Sequence, residues 1–287
     1  AARAQPHDFL ALTKPRIVGL LVATGLGSAV VAAGGWPGLG PVVAVALGGA
    51  LAAGGAGAMN AALEADLDAR MARTRGRPVP AGRISPAAAL AFGLVLEVAA
   101  FALITALTNV LAAALALGGA FWYAAVYTLW LKRRTSWNIV VGGAAGSFPP
   151  LVGWAAVTGT LHLTAWALAA AIFLWTPPHF WALATLLRED YRRAGIPMLP
   201  AVTDLRTVAT RMLRYAFLTL VASLAPLAWG GLGAVHGVVA AAAGLWFVGE
   251  SLFHHRRLSR RTAGRVFWAS GIYLLLLFVG AALDRLL

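Results

Sequence analysis

Long apolar runs broken at regular intervals by short polar connections dominate this chain. Nine such runs cover residues 17–35, 41–59, 87–107, 110–130, 139–158, 164–187, 215–235, 237–253 and 266–283. Each holds about 17 to 24 residues, enough for a helix to cross the ~30 Å of hydrocarbon in a bilayer. None shows the period-two alternation of a membrane-spanning strand, so the runs predict helices and exclude a barrel. The expected fold is an all-α integral membrane protein, one domain of nine transmembrane helices over residues 1–287. Composition agrees: 60% of the residues are hydrophobic and 11% charged, with a mean hydropathy of +0.79, values outside the range of soluble domains.

The connections alternate in character. Of the 23 basic residues, all but Arg285 fall in five groups: Arg3, Lys14 and Arg16 at the start; Arg70 to Arg83; Lys132, Arg133 and Arg134; Arg188 to Arg214; and Arg256 to Arg265. Every second connection is basic and those between carry no cation, the positive-inside arrangement, which places the N-terminus in the cytoplasm and the C-terminus outside. The net charge of +13 therefore reports topology and contact with anionic surfaces, lipid headgroups and phosphates, and not nucleic acid. With no cysteine in the chain, disulfides, iron–sulfur clusters and thiol catalysis are excluded. The first run follows Lys14, Pro15 and Arg16 without a small-residue cleavage site and reads as a retained helix.

Short outer connections, such as Thr108 with Asn109 and residues 159–163, pair the helices into antiparallel hairpins. Two inner connections are long, about 60–86 and 188–214. The first continues helix 2, breaks over Arg77 to Gly82 and restarts at Ser85, an N-cap, with Pro86 at the first helical position. Both follow an even-numbered helix, a weak repeat of the kind that encloses a midplane cavity. The many glycines and alanines predict close helix packing, and Pro149 with Pro150 predicts a kink in helix 5.

The polar residues within or beside these runs are the candidates for chemistry. Asn60, Glu64 and Asp68 are four apart and share one helix face. Carboxylates at membrane depth are costly and mark places where ions or polar substrates are handled. Oxygen ligands beside Arg70, Arg73, Arg75 and Arg77 suit a Mg²⁺-bridged phosphate, since zinc would call for His or Cys. Asp66 lies about 200° round the helix from Glu64 and is expected to face solvent or a loop arginine. Lys14 and Lys132 are the two lysines of an arginine-rich chain, placed where a compact ammonium suits a phosphate. His179 interrupts an apolar run and offers either an interhelical hydrogen bond or a substrate contact. Glu97 and Glu250 are expected to pair with neighbours or snorkel, and His254 to Arg257 to form a lipid-facing loop.

Asn60, Glu64, Asp66, Asp68, Met71, Arg73, Thr74, Arg77, Pro78, Pro80, Gly82 and Arg83, in this spacing, resemble the first acidic motif of the UbiA-type intramembrane prenyltransferases. Three further stretches resemble the haem O synthase branch of that superfamily: Leu12 to Arg16; Tyr127 and Thr128 through Lys132 and Arg133 to Val140; and Pro178 to Ala184 continuing through Asp190 and Tyr191 to Pro200. The resemblance runs from about residue 9 to 202. It implies nine helices around a central cavity open to the bilayer, with the active site on the cytoplasmic side of a bacterial inner membrane. By the same resemblance Asn60, Glu64, Asp68 and Asp190 are catalytic and hold Mg²⁺; Arg73, Arg77, Lys132 and Arg133 bind a diphosphate; His179 contacts haem, as does Arg16, with Arg134, Arg206 and Arg211 equally available for the haem propionates. The implied reaction is farnesyl transfer from farnesyl diphosphate to a vinyl group of haem b, giving haem O for handover to a haem A synthase or terminal oxidase assembly. The chain departs from the pattern at Glu64, where the superfamily usually has Asp, and at Leu186, where its second acidic motif would begin. Prenylation of a quinone precursor or chlorin is the alternative within the superfamily, and a cation-coupled transporter the alternative outside it.

Overall fold

The computed structural model describes residues 4–287, so Arg3 lies outside the described part. Among the described residues nine helices are long and apolar enough to cross a membrane: Pro15–Ala33 (α1), Leu39–Leu63 (α2), Pro86–Leu107 (α3), Val110–Leu131 (α4), Asn138–Thr158 (α5), Leu163–Leu186 (α6), Leu205–Trp229 (α7), Ala234–Arg257 (α8) and Arg260–Leu286 (α9). A short helix, Pro6–Leu12, precedes them. Their ends follow local chemistry. Ser85 caps α3 ahead of Pro86, Asn109 caps α4 and Asp204 caps α7, each accepting a first-turn N–H. Gly34, Gly159 and Gly230 adopt left-handed φ values of 64°, 69° and 68° where α1, α5 and α7 stop, a conformation that costs a residue without Cβ little.

Two boundaries depart from the hydrophobic runs. The seventh helix begins at Leu205, not at residue 215, because its first turns carry Arg206, Arg211 and Arg214 on one side and the buried Val208, Ala209 and Met212 on the other. Averaged hydropathy sees the charges and misses the buried stripe. The inner connection before it is thereby shortened to two small helices, Arg188–Arg193 and Leu199–Val202. In α5 the irregularity lies at Gly143–Ser147, a 3₁₀ segment, and the proline pair opens the α-helical stretch Phe148–Thr158. Prolines are tolerated at that first-turn position. Ser28 of α1 donates to the Pro150 carbonyl at 2.7 Å.

Helix α4 also changes winding. Trp122–Leu131 is π-helical, so its hydrogen bonds join residues five apart. Thr128 Oγ1 donates to the Tyr123 carbonyl at 2.8 Å and the Lys132 N–H to the Tyr127 carbonyl at 2.9 Å.

Helices α1 to α5 form one group and α6 to α9 a second, joined where α1 packs on α9 and α5 on α6. The central element of the second group is α6, against α7 and α9, with Trp181, Phe247 and Tyr273 sealed inside. The first group is knit by small residues. A methyl built on Gly93 of α3 would meet the Gly55 carbonyl of α2 at 2.8 Å, and one on Gly153 of α5 would overlap the Gly25 carbonyl of α1.

Two expectations are corrected. Glu250 does pair, with Arg265 at 2.6 and 2.7 Å, but Glu97 is buried on α3 and neither of its oxygens has a hydrogen-bonded partner. His254 to Arg257 are the last turn of α8 and not a lipid-facing loop. His254 is buried against Thr262 of α9, Nδ1 to Oγ1 at 2.8 Å.

Candidate active site

Helix α2 ends at Leu63 and Glu64 breaks it with φ −108° and ψ 11°, after which Ala65–Arg70 resumes. The break keeps register: the Glu64 N–H donates to the Asn60 carbonyl at 3.0 Å and the Asp68 N–H to the Glu64 carbonyl at 2.8 Å. Asn60, Glu64 and Asp68 therefore stay on one face, and all three are buried. Their spacing was readable because this hydrogen-bond pattern survives the break.

Each of the three meets a cation from a different part of the chain. Lys14 Nζ donates to Asn60 Oδ1, whose amide nitrogen donates to Thr128 Oγ1 at 2.9 Å. Lys132 Nζ donates to Glu64 Oε2 at 2.5 Å. Arg77 Nη1 donates to Asp68 Oδ2 at 2.8 Å. A buried charge is costly unless it is paired and hydrogen-bonded, and Lys132, the residue after the π-helical end of α4, supplies the partner for Glu64. Tyr123 and Tyr127 stack at 5.7 Å, one beside each ammonium. Three cations face two carboxylates here, and burial pushes the Lys14 ammonium down to about 7. Lys14 also sits at φ 54°, a left-handed conformation that an ordinary side chain adopts at a cost.

A second layer holds the loop behind α2. Thr74 Oγ1 donates to the Asp68 carbonyl at 2.8 Å. Arg83 donates to Asp8 at 2.9 Å and to the Gly76 carbonyl at 3.2 Å. The Arg83 guanidinium holds the Asp8 carboxyl below the usual range. Leu12 packs with Ala58, Ala61, Val79 and Ile84, so the N-terminal helix closes this end of the site.

The remaining candidates lie apart from the cluster. Asp66 faces outward, as its phase predicts, and takes the fork of Arg133 at 2.7 and 2.9 Å; that hydrogen bonding lowers its pKa. Arg133 is thereby engaged on the surface. Arg73 and Arg16 are exposed, and Asp190 is half-buried on Arg188–Arg193. The next residue, Tyr191, packs with Leu67, Met71 and Tyr127, which brings Asp190's helix against the extension of α2. His179 is half-buried on α6, among aromatic residues. Tyr123 and Asp8 were not singled out from the sequence, while Thr128 and Lys14 stood there within the stretches that carry the resemblance, with no role given to Thr128 and only a phosphate-suited ammonium to Lys14.

The donor set can be tested against a divalent ion. Among the described residues no group of three or more His, Cys, Asp or Glu side chains converges on one point. What is present is an oxygen set, Asn60, Glu64 and Asp68, in which Glu64 Oε1 is buried without a partner. That suits Mg²⁺ in preference to zinc, provided the carboxylates exchange their present cations for the ion.

Fold and site together define a polytopic all-α membrane protein that buries a cation-rich polar cluster at the end of an apolar bundle. The UbiA prenyltransferase family pattern matches residues 20–281. The chain belongs to this family. It is 52% identical over 279 residues to the protoheme IX farnesyltransferase of Thermus thermophilus, covering 97% of this chain and 46% of that protein; the chain thus spans about half the length of that relative. It is 45% identical to the protein of the same name from Gloeobacter violaceus, covering 98% of this chain and 92% of the relative. Among solved structures, a digeranylgeranylglyceryl phosphate synthase shares the fold with a TM-score of 0.80 at 15% identity, covering 97% of this chain and 98% of that one. A UbiA homologue from Archaeoglobus fulgidus bound to GPP and Mg²⁺ does so with a TM-score of 0.66 at 14% identity, covering 96% and 99%.

Proposed function

We propose that the protein transfers a farnesyl group from farnesyl diphosphate to a vinyl group of haem b, yielding haem O, with the buried cluster around Glu64 and Asp68 as the diphosphate site. The observation that carries the reading is that cluster, three cations interleaved with two carboxylates in a chain similar over almost all its length to protoheme IX farnesyltransferases. The GPP- and Mg²⁺-bound relative of the same fold supports the accompanying ion.

Breaking the allylic C–O bond sends its electron pair to a diphosphate oxygen and leaves positive charge on the farnesyl carbon. Lys14, Lys132 and Arg77 would stabilise the departing oxygens by charge-assisted hydrogen bonds once released from their present partners. Arg73, on the same loop, extends this set. Mg²⁺ held by Asn60, Glu64 and Asp68 would supply further neutralisation of the leaving group, with Asp190, on the short helix after α6, as a candidate further ligand. The terminal vinyl carbon then bonds to the farnesyl carbon, and water adds to the cation left on the porphyrin side and loses a proton. Apolar helix walls keep other water from the first cation. The two apolar substrates are delivered by the membrane, in the bacterial inner membrane with the cluster facing the cytoplasm, and the product passes to a haem A synthase or terminal oxidase assembly. Arg16, exposed at the start of α1, is available for carboxylates at that face, while Arg133 is held by Asp66.

Purified protein incubated with haem b, farnesyl diphosphate and Mg²⁺ should give haem O by mass spectrometry. Prenylation of a phenolic acceptor with no haem product would transfer the protein to another acceptor class. Release of no diphosphate with any acceptor would overturn the enzymatic reading.

A further inference from the structure

The ring of His179 is held in an unusually complete way for a residue outside the charge cluster. Its Nδ1 lies 2.7 Å from Ser270 Oγ of α9, and Ser270 Oγ donates to the Phe267 carbonyl at 2.7 Å. A carbonyl can only accept and a hydroxyl has one hydrogen, so Ser270 presents a lone pair to His179. The proton between them therefore belongs to the imidazole, on Nδ1. Trp175 and Phe267 stack on the ring, nearly parallel, with centroids at 4.4 and 4.6 Å. Two rings so close cannot share one face of an imidazole, so both faces are covered. The Trp175 indole is itself fixed, donating to the Ser270 carbonyl at 2.8 Å. What remains open is the Nε2 edge, on a side chain half-buried between the buried Pro178 and Trp181.

An imidazole locked as the Nδ1–H tautomer, with a free Nε2 lone pair, has the form in which histidines bind metals: the other nitrogen donates to an oxygen that fixes orientation and raises basicity. Building on the haem b reading above, we propose that Ser270 is a positioning residue that presents His179 Nε2 to the iron of the porphyrin substrate. His179 stands seven residues before the end of α6, about 10 Å below it along the axis. That depth suits an iron within the apolar layer while the porphyrin's carboxylates stay at the polar end. Coordination from a clamped ring would fix the macrocycle so that one chosen vinyl group, and not its neighbour, meets the farnesyl carbon.

The test compares haem b with iron-free protoporphyrin IX, binding each to the full-length protein in lipid nanodiscs. Absorption and resonance Raman spectra of the haem complex report the iron ligand. His179→Ala should weaken haem b about tenfold or more and remove the iron–imidazole signature, with protoporphyrin IX affinity unchanged. Ser270→Ala keeps the ring and should shift the iron–nitrogen stretching frequency and weaken haem b about tenfold, again sparing the iron-free ligand. Equal losses for both porphyrins in His179→Ala, or a signature indifferent to Ser270→Ala, would overturn the assignment. So would lost turnover in His179→Ala with an unchanged iron spectrum, which would make the histidine a proton acceptor. If the wild-type protein binds haem through His179 but forms no haem O, the functional reading falls and the ligation stands.

Discussion

Asp66 and Asp68 carry the same charge two positions apart, and the helix phase separates their roles. Asp68 is 4% exposed and paired with Arg77; the Asp66 side chain is 49% exposed in its pair with Arg133. We predict that Asp68→Asn lowers turnover at least about a hundredfold, since on the proposed reading it removes a carboxylate that would hold Mg²⁺ against the diphosphate. Circular dichroism should show the helices intact. Asp66→Ala should keep turnover and cost no more than about 1 kcal/mol, the usual worth of an exposed pair; a shared collapse of both variants would mean the whole turn, and not the inner carboxylate, is what matters. Lys132→Ala should raise the dissociation constant for farnesyl diphosphate by about 10- to 100-fold, the range for a hydrogen bond to a charged group, and leave haem b affinity alone. Isothermal titration with each substrate separates the two. The acidic residues of the site could be found in the sequence because four-residue spacing survives the break at Glu64. Tyr123, and the contact that Thr128 makes with Asn60, could not, because they depend on the i to i+5 winding of α4. Asp8 could not either, since its partner Arg83 is reached through the folding of a loop.

Among the helices, the apolar runs located all nine and failed where charge or winding masked the pattern. The early start of α7 escaped because arginines share its first turns with a buried stripe. The glycines were correctly expected to mark close packing, but which ones bear it depends on partners that lie far off in sequence. Gly153 faces the Gly25 carbonyl, whereas Gly49 and Gly271 have open space around them. Alanine at position 153 gains up to about 1 kcal/mol of helix propensity and loses about 1–3 kcal/mol to overpacking against backbone. We predict that Gly153→Ala lowers the melting temperature in detergent while Gly49→Ala leaves it equal or higher. An unchanged melting point for Gly153→Ala would mean that α1 and α5 can separate at no cost.

At the scale of the whole molecule, the basic connections alternate around the bundle so that the loops after α2, α4, α6 and α8 share one side. Reporter fusions in those loops should be active in the cytoplasm and a fusion at the C-terminus outside; a cytoplasmic C-terminus would contradict the alternation. This arrangement of nine helices was legible because length and charge are properties of local sequence. The division of labour between the two halves was not, because it depends on which elements meet.

That division bears on how the chain enters the membrane. Every partner in the charge cluster, from Lys14 to Lys132, is synthesised before α5; the longest carboxylate pairing spans 68 positions and the longest pairing of all, Lys14 with Tyr123, spans 109. Glu64 and Asp68 need wait only for α4 to find their counter-ions, and nothing made later has to rescue them. The histidine and its serine, by contrast, are separated by 91 positions and meet only when the last helix arrives. A translating ribosome would thus finish the buried charge cluster first, and leave for last the pairing of Glu250 with Arg265 and the uncharged contact of His179 with Ser270.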